Sequence, residues 1–317
     1  MQLSCGGWTV NEKQRCVVVV NPASGSERHR ERVRSLASEY GYTVRETRAD
    51  GDAIEIARRA AERGVTRIGA CGGDGTVNEV VRGIDAACAL DTVTLGVIPA
   101  GTGNNFAKNI GVEGIEHGFS LLDAGETRRI DLGAGNGRLF VNSCVGGITA
   151  SASEQTTSEG KRRFGVLAYV LATLETAREF DGVPLRVRAR THHEREKAWA
   201  GEAAFVLIGN ARRFPVRGRT QANVEDGQFD VTIIEQLPPS SALGEATVQR
   251  IFGSDTAHTT HLRSTYVKVT VEGEEPMTFS FDGEMGTYRE LACRVRTQSL
   301  AVRVGESYEP DPAYVDG

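Results

Sequence analysis

The sequence lacks any long apolar segment. No stretch among its 317 residues approaches the 18 or so consecutive apolar residues that a helix needs to cross a bilayer. The opening segment, Leu3–Trp8, is too short and too polar for the apolar region of a signal peptide. These two absences predict a cytoplasmic protein without a membrane anchor.

Cysteine is scarce, and its spacing fits no metal site. Several of the six cysteines lie in apolar runs, which is typical of buried thiols in a reducing compartment. The six are Cys5, Cys16, Cys71, Cys88, Cys144 and Cys293.

An excess of positive charge is also missing. The formal net charge of −5 argues against nucleic acid as the main partner. Any attraction to an anionic membrane would then be local rather than global. The contents of 39% hydrophobic and 25% charged residues are ordinary for a globular protein.

What the sequence does contain is a glycine-rich turn, Cys71–Val80. It follows an apolar run, Arg67–Ala70, and leads into a helix predicted from about Thr76 through Val77–Ile84. Glycine allows the backbone to approach a ligand closely, and a helix N-terminus favours phosphate. Asp74 is itself negative, so we expect it to face a metal ion, a hydroxyl group or a ribose. A tight turn without any ligand is the alternative interpretation of this motif alone.

Two further strand–loop–helix units accompany this turn. The strand-like run Leu95–Ile98 leads into the loop Pro99–Ala107, and the β-branched run Arg15–Val20 leads into Asn21–Ser26. Ligands bind open α/β sheets at the carboxyl ends of the strands. Three such units near the start of the chain, each with polar groups at a strand's end, therefore predict a nucleotide site.

The order of predicted elements changes after the first third of the chain. Up to about Asp131, strands alternate with helices, which favours a doubly wound α/β domain with a parallel sheet. From about Arg138, strands follow one another, which favours a mainly antiparallel domain. The later predicted strands are Arg138–Cys144, Leu185–Arg190, Lys197–Ile208, Phe229–Glu235, Tyr266–Glu272, Met277–Phe281 and Glu290–Val295, with helices near Lys161–Phe180 and Ser241–Phe252.

These motifs, taken in order, resemble the catalytic superfamily of the diacylglycerol kinases. Bacterial and archaeal lipid kinases and sphingosine kinases belong to this superfamily, and NAD kinases are distant relatives. The resemblance runs over roughly residues 15 to 284. The matching strings are Val18–Gly25, Thr47 with Gly51–Ala53, Gly72–Val80, Gly96–Ala107, Phe140–Gly147 and Phe281–Glu284.

The resemblance implies an architecture and an activity. We expect an extension over residues 1–14, an NAD-kinase-like nucleotide-binding domain over 15–133, and a β-sandwich substrate domain over 134–299. The segment of about 300–317 would return to the first domain. The implied activity is transfer of the γ-phosphoryl group of ATP, with Mg²⁺, to a lipid hydroxyl, most simply from diacylglycerol to phosphatidate.

The expected ATP site uses backbone N–H groups and short polar side chains. The sequence contains no Gly-x-x-x-x-Gly-Lys-Ser/Thr string and no protein-kinase His-Arg-Asp or Asp-Phe-Gly set, so neither of those sites is expected. For Asn105, capping of the next helix and contact with the ligand are equally supported. The expected nucleotide-binding residues are Asn21, Ser24, Gly25, Thr47, Gly72, Gly73, Asp74, Gly75, Thr76, Glu79, Gly101, Thr102 and Asn104.

Two aspartates compete for the role of general base. In the lipid kinases that this chain resembles, the late aspartate that matches Asp282 is the favoured base. In sphingosine kinases and NAD kinases, the loop aspartate that matches Asp74 has the catalytic part. We favour Asp282 as the base and Asp74 as the organiser of nucleotide and Mg²⁺, with Glu284 as a second catalytic carboxylate. Asp282-Gly283 is also typical of a hairpin turn.

A third acidic stretch, Asn223–Asp230, has the closely spaced oxygens that suit a hard cation. Some bacterial relatives hold a structural Mg²⁺ at such a loop, and Asp226 matches that pattern. Asn223 stands where an aspartate is expected, which weakens the charge. A simple Asp-Gly hairpin turn before the strand Phe229–Glu235 is at least as well supported.

The segment Gly209–Arg219 carries four arginines where relatives usually have a glycine-rich turn. Contact with an anionic lipid is one interpretation. We favour a solvated loop, because only five of the 37 basic residues are lysines and arginine is common throughout the chain.

The expected partner is a lipid presented at a membrane surface, with transient peripheral contact at the inner face and no nucleic acid. No sequence pattern decides the oligomeric state, and a homodimer is compatible with the chain. The closest alternative function is a kinase of the same fold for another alcohol: a sphingoid base, a polyprenol, an ether-lipid precursor or a soluble metabolite. A nucleotide-binding regulator without turnover is the alternative from another class.

Overall fold

The computed structural model describes residues 16–24, 27–147, 182–191, 196–216, 219–235 and 258–311. These residues form two compact units. The first contains the described residues up to Arg128 together with Leu300–Glu306, and the second contains those over Arg129–Ser299 and from Ser307 onward.

The first unit is built on a parallel sheet. Its strands run in the order β17, β4, β3, β1, β2, and all neighbours are parallel. Only the end of β17 takes part, through Ala301 and Val302 beside β4. The strands are β1 (Cys16–Val20), β2 (Thr43–Glu46), β3 (Arg67–Gly72), β4 (Thr94–Pro99) and β17 (Glu290–Val304).

Helices cover both faces of this sheet. Val18 and Val20 of β1 lie in one apolar cluster with residues of α1 and α5, including Phe119. Because successive side chains of a strand point to opposite faces, Val17 and Val19 face the other side, where α2 packs against β1 and α3 against β3. The predicted doubly wound α/β fold is thus confirmed. The helices are α1 (Glu27–Glu39), α2 (Asp52–Glu62), α3 (Asp74–Ala86), α4 (Asn105–Asn109) and α5 (Ile115–Ala124).

Two helices differ from the sequence prediction. The helix α3 begins at Asp74, two residues before the predicted start at Thr76. A carboxylate in the first turn of a helix is favourable because the helix N-terminus is positive. The helix α5 was not predicted, although Ile115, Phe119 and Leu122 are buried at helical spacing along it.

The second unit consists of antiparallel strands. Neighbours pair in the order β16, β15, β7, β9, β8, β14, β17, and β9 also pairs with β12, which pairs with β13. The strands are β5 (Glu126–Gly135), β6 (Arg138–Phe140), β7 (Ser143–Gly147), β8 (Val183–Arg190), β9 (Lys197–Gly209), β10 (Arg212–Val216), β11 (Arg219–Gln221), β12 (Phe229–Glu235), β13 (Thr259–Ser264), β14 (Tyr266–Val271), β15 (Met277–Phe281), β16 (Glu284–Tyr288) and the beginning of β17.

Aromatic side chains lie at the centre of the core of this unit. Phe140 stacks on Phe229 with ring centroids 5.6 Å apart, and Phe281 is tilted against Phe140 at 6.2 Å. All three rings are almost fully buried. A large apolar cluster of this kind explains why this succession of strands forms a compact unit.

Several predicted elements of this unit were incomplete. The strand predicted over Arg138–Cys144 is interrupted after Phe140, and Val141 and Asn142 connect β6 to β7. The strands β5, β13 and β16 were missed, and β17 extends well beyond Val295. The arginine-rich segment contains the paired strands β10 and β11 rather than a solvated loop. The helices predicted near Lys161–Phe180 and Ser241–Phe252 lie outside the described residues.

Most of the described cysteines are buried, as their apolar sequence surroundings predicted. Of the described cysteines, Cys16, Cys71, Cys144 and Cys293 are buried, whereas Cys88 is exposed. Within the described part of the chain, no helix combines the length and the apolar character that crossing a membrane requires.

Candidate active site

The predicted polar residues of the first unit share one edge of its sheet. Asn21 follows β1, Thr47 follows β2, Gly73 follows β3 and Gly101 lies just after β4. The carboxyl ends of parallel neighbouring strands meet at the same edge. The structure therefore brings these loops together as the sequence predicted.

Asn21 connects the end of β1 to the helix α3. Its backbone N–H donates to Cys71 O at 2.9 Å, and its side-chain Nδ2 donates to Thr76 Oγ1 at 3.3 Å. Its Oδ1 accepts the N–H of Ala23 at 3.0 Å, which closes the turn after β1. Asn21 thus holds the first loop against the glycine-rich turn.

The loops after β3 and β4 touch backbone to backbone. Ala100 N–H donates to Gly72 O at 3.0 Å. A Cβ atom added to Gly101 would lie 2.5 Å from the Cα of Gly73, a separation that would force the backbone to move. Gly101 is therefore required for the close approach of these two loops.

Gly75 has a different environment, although it belongs to the same motif. It is exposed in the first turn of α3, and a Cβ atom added there would meet no heavy atom within 4 Å. Packing among the described residues therefore does not require glycine at this position. A helix N-terminus with open space in front of it fits a phosphate group.

The carboxylate of Asp74 binds the start of α4. Its Oδ1 accepts the N–H of Phe106 at 2.8 Å, and its Oδ2 accepts the N–H of Asn105 at 3.0 Å and Asn105 Nδ2 at 3.1 Å. These donors use about three of the four lone-pair positions that a carboxylate offers. Asp74 therefore caps α4 from a distant part of the sequence.

Neither asparagine caps the helix with its own side chain. Asn104 is the N-cap residue of α4 at φ 48°, and its amide group closes the loop by bonding Gly101 N and O at 3.0 and 2.7 Å. Asn105 bonds Asp74 instead. Asn105 therefore supports the loop around Asp74 in this structure.

The remaining predicted nucleotide residues lie around the same edge. Glu79 Oε1 accepts the N–H of Gly51 at 3.4 Å, which links α3 to the turn before α2. Thr47 is buried, Ser24 is half-buried, and Thr102 is exposed. Gly25 lies outside the described residues.

Asp282 belongs to the second unit and occupies a hairpin turn. Asp282 and Gly283 connect β15 to β16 with φ of 49° and 103°. Two consecutive positive φ angles are typical of the type I′ hairpin turn, which Asp-Gly favours. The predicted turn is thus confirmed, and its geometry directs the aspartate side chain back towards the loop between β6 and β7.

Three consecutive backbone N–H groups bind the Asp282 carboxylate. Val141 N–H donates to Oδ2 at 2.6 Å, Ser143 N–H donates to Oδ1 at 2.8 Å, and Asn142 N–H is shared between both oxygens at 3.0 and 3.1 Å. The backbone N–H of Asp282 in turn donates to Ser143 O at 3.1 Å. This arrangement fixes the carboxylate in one orientation.

Glu284 is half-buried in the same hairpin. It is the first residue of β16 and pairs with Phe281 across the turn. The catalytic role of Glu284 stays a prediction.

The loop around Asp226 contains two local turns rather than a hairpin. Asn223 Oδ1 accepts the N–H of Glu225 and Asp226 Oδ1 accepts the N–H of Gln228, each at 2.9 Å. The strand β11 before this loop pairs with β10 and not with β12. The hairpin interpretation was therefore wrong.

The other oxygen of Asp226 is bonded to the partly exposed guanidinium group of Arg263. Arg263 Nη2 donates to Asp226 Oδ2, and Arg263 Nε lies 3.9 Å from Asp230 Oδ1. Among the described residues, no group of three or more His, Cys, Asp or Glu side chains could hold a metal ion. In this structure the Asp226 carboxylate is bonded to Arg263, and the metal-binding role that the resemblance suggested for Asp226 stays a prediction.

Asp131, on β5, is a buried residue that the sequence analysis missed. It is only 1% exposed. Its carboxylate accepts the N–H of Gly227 and the N–H of Gln298, each at 2.7 Å. A lone aspartate in an otherwise apolar strand pattern, Ile130–Leu132, was the signal that could have found it.

Burial raises the pKa of three aspartates in this region. Desolvation is the largest cause for Asp131, Asp226 and Asp230. The positive charge of Arg263 opposes this rise in the pKa of Asp226 and of Asp230. The arginine thus offsets part of the cost of burying these carboxylates.

Comparison with protein families agrees with both units. The chain matches the family model of the diacylglycerol kinase catalytic domain over residues 15–134. Residues 142–304 match the YegS C-terminal NAD kinase beta sandwich-like domain. The two matches together define a two-domain kinase and bear out the predicted β-sandwich fold.

Individual relatives give the same result. A diacylglycerol kinase of Bacillus subtilis is 31% identical over 284 residues, which cover 86% of this chain and 90% of the relative. A Pseudomonas aeruginosa protein named as a probable lipid kinase, YegS-like, is 30% identical over 298 residues, with 93% and 90% covered. The chain therefore belongs to the diacylglycerol kinase family of lipid kinases and is a phosphotransferase that acts on an alcohol group.

A solved structure supports the fold independently. A diacylglycerol kinase from Bacillus anthracis superposes with a TM-score of 0.69 over 93% of this chain and 98% of its own length, at 20% identity. Kinases of this family use ATP, which agrees with the nucleotide that the first unit's glycine-rich loops predict.

Proposed function

We propose that this protein transfers the γ-phosphoryl group of ATP to the hydroxyl group of diacylglycerol, which forms phosphatidate. The proposal that the protein binds ATP rests on Gly75 at the N-terminus of α3, where an added Cβ atom would meet no heavy atom of the described residues within 4 Å. The relatives named diacylglycerol kinase support the choice of lipid.

The phosphate groups of ATP would bind at the edge formed by the loops after β1, β3 and β4. The N–H groups at the start of α3 supply donors and the positive end of a helix dipole. Asn21 and Gly101 hold the neighbouring loops around this helix start. Phosphoryl transfer depends mainly on positioning and charge stabilisation, which such a fixed edge provides.

We assign Mg²⁺ to the nucleotide at Asp74 rather than to the Asp226 loop. Asp74 has about one lone-pair position beyond the three that α4 and Asn105 use. Mg²⁺ usually takes one or two carboxylates together with phosphates and water, so one remaining position suits it. When bound, the ion would neutralise charge on the transferred phosphate.

Asp282 would accept the proton of the lipid hydroxyl. Its carboxylate is held in one orientation by the N–H groups of Val141, Asn142 and Ser143. A base must be positioned relative to the hydroxyl it deprotonates, and backbone donors provide that rigidity. In a loose transition state the proton is transferred late, so a weak base is sufficient. Glu284 would supply a second negative charge near the hydroxyl.

The lipid would remain partly in the membrane while its headgroup reaches the protein. The protein's contact with the membrane would be transient and peripheral. A kinase of the same family acting on another alcohol is the second candidate, because the relatives include a protein named only as a probable lipid kinase.

The decisive test is phosphoryl transfer from γ-labelled ATP to defined lipid vesicles. Purified protein with Mg²⁺ would be mixed with phosphatidylcholine vesicles containing diacylglycerol, a sphingoid base or a polyprenol, and with a lipid-free set of soluble alcohols. We expect labelled phosphatidate as the main product. Labelling of another lipid, or turnover that needs no lipid, would contradict the diacylglycerol assignment. ATP binding without any turnover would indicate a regulator.

A further inference from the structure

The loop that binds Asp282 is itself fixed from its opposite side. The carbonyl of Val141 accepts Asn210 Nδ2 at 2.8 Å and the N–H of Ala211 at 3.1 Å. The carbonyl of Asn142 accepts the N–H of Asn210 at 2.8 Å and that of Arg212 at 3.2 Å. The start of the arginine-rich segment therefore binds the backbone behind the proposed catalytic aspartate.

Peptide geometry makes this support directional. In a trans peptide, the C=O and the N–H of the same plane point in opposite directions. The plane that carries the Val141 carbonyl also carries the Asn142 N–H, and the plane with the Asn142 carbonyl carries the Ser143 N–H. Bonds that hold the two carbonyls therefore aim both N–H groups at Asp282.

The side chain of Asn210 anchors this support to a third strand. It is only 1% exposed, and its Nδ2 also donates to Asp131 O in β5 at 3.0 Å. Both N–H bonds of the amide are thus used. A side chain without these donors would remove one hydrogen bond from the carbonyl of Val141 and one from that of Asp131, which costs free energy inside a protein.

We infer that Asn210 is a positioning residue for phosphoryl transfer, acting through the Val141–Ser143 loop on Asp282. This inference rests on the proposed role of Asp282 as the base. The inference gives a role in catalysis to a residue of the arginine-rich segment, which the sequence pattern alone indicated to be a solvated loop.

The test compares Asn210→Leu with Asn210→Ser, in the wild-type and the Asp282→Asn backgrounds. Leucine removes both donors from a side chain that branches at the same carbon as asparagine, whereas serine keeps one donor and serves if the leucine variant does not fold. We expect kcat with diacylglycerol vesicles to fall about tenfold to hundredfold, because small displacements of a catalytic group have effects of this size. In the Asp282→Asn background the further loss should be less than about twofold.

A second readout does not depend on the reaction. Amide hydrogen exchange at Asn142 should accelerate in the Asn210 variants, because its N–H shares a peptide plane with the Val141 carbonyl, which loses the Asn210 Nδ2 donor. If no lipid is phosphorylated by the wild-type protein, the proposed function fails, yet the exchange result still decides whether Asn210 positions this loop.

Ser264→Ala is the matched control. Ser264 is a fully buried polar residue of the same unit, and its hydroxyl lies 2.8 Å from Arg190 O and 2.6 Å from Tyr266 O. It should lower the melting temperature without changing kcat or the exchange at Asn142. Equal kcat losses in this control, equal losses in both Asp282 backgrounds, or unchanged exchange would each overturn the inference.

Discussion

Asp74 and Asp282 lie in different units, yet both carboxylates accept hydrogen bonds from the backbone of a segment distant in sequence. Asp74 binds the first N–H groups of α4 and the side chain of Asn105. Asp282 binds the N–H groups of three consecutive residues between β6 and β7. In each case an acid that looks catalytic in the sequence also holds a loop in place.

The two acids differ in backbone conformation and in the origin of their donors. Asp74 lies in an ordinary helical turn, and one of its donors is a side chain. Asp282 has a positive φ, and the donors described for its carboxylate are all backbone groups. Asparagine tolerates the turn conformation at Asp282. At both positions, however, it replaces an accepting oxygen by an amide NH2 group, so each substitution also weakens the loop that the carboxylate holds.

The largest expected effect is at Asp282. Asp282→Asn should lower kcat by a factor of about 10² to 10⁴, the usual range for loss of a general base. It should also lower the free energy of unfolding by about 1–3 kcal/mol, because one oxygen that accepts backbone N–H groups becomes an amide nitrogen. Steady-state kinetics with diacylglycerol vesicles and a thermal melt would be measured together. Activity within about tenfold of wild type would remove Asp282 from the role of base and shift that role to Asp74.

Alanine substitutions at two glycines of the nucleotide edge should have different effects on the free energy of unfolding. Gly101→Ala should destabilise the protein by about 1–3 kcal/mol, because its Cβ would collide with the backbone of Gly73. Gly75→Ala should leave the free energy of unfolding unchanged or raise it by up to about 1 kcal/mol, because alanine favours a helix.

The same Gly75→Ala variant should raise the KM for ATP at least about tenfold, since its methyl group would occupy the space proposed for phosphate. Urea unfolding and ATP titration of both variants would check this pair. Normal ATP affinity in Gly75→Ala would show that the phosphates bind elsewhere.

Asp74→Asn should have a mixed effect. The loss of one acceptor oxygen at the start of α4 should lower the free energy of unfolding by about 1 kcal/mol, as for other helix caps. It should also weaken Mg²⁺-dependent ATP binding, measured by calorimetry with and without the metal. Asp123→Asn is a control in the same unit, because Asp123 accepts Tyr42 Oη and Arg67 Nη1. Comparable loss of ATP binding in the control would count against a specific role for Asp74.

The smallest effect is expected at Arg263. Arg263→Gln should lower the free energy of unfolding at pH 7 by about 1 kcal/mol, because Asp226 and Asp230 lose their partly exposed cation. Mg²⁺ should not raise the melting temperature of the wild-type protein through this loop. If Mg²⁺ raises the melting temperature and Asp226→Asn abolishes that rise, the loop around Asp226 binds a metal ion.

The stability of the Arg263→Gln variant should depend on pH, because the pKa values of nearby buried aspartates are raised. Burial raises the folded-state pKa of Asp131, Asp226 and Asp230 above the unfolded values. Their contribution to stability is therefore present below the unfolded pKa and is lost as pH rises through the folded pKa. Removing Arg263 should raise the pKa of Asp226 and Asp230 further. Urea unfolding should then show a larger deficit at pH 7 than at about pH 5.

Local patterns predicted a large part of the first unit. The strands β1, β3 and β4 are short apolar runs followed at once by glycine or asparagine loops, and the structure contains each of them. The helix α5 was missed because Ile115–Ala124 is short and its N-cap residue, Gly114, makes no side-chain cap.

The second unit was predicted less completely because its key contacts are not local. No pattern near Val141 shows that the predicted strand ends there, since the break is stabilised by Asp282, about 140 residues later in the chain. Arg263 is likewise 37 residues from Asp226, and its ion pair with that carboxylate has no signal in the sequence of the loop. Interactions between distant residues depend on strand order and register, which turn signals do not encode.

The amino-acid sequence by itself determined which polar residues stand at the strand ends, and from them it predicted which residues carry the chemistry. Glycine, asparagine and aspartate at strand ends have conformational and hydrogen-bonding properties that are local, so their motifs alone indicate a nucleotide edge and a lipid kinase family. Tertiary structure alone decided what holds those residues: α4 and Asn105 for Asp74, the Val141–Ser143 loop and Asn210 for Asp282, and Arg263 for Asp226. The reason is physical, because a buried carboxylate needs donors, and the fold determines which distant donors reach it.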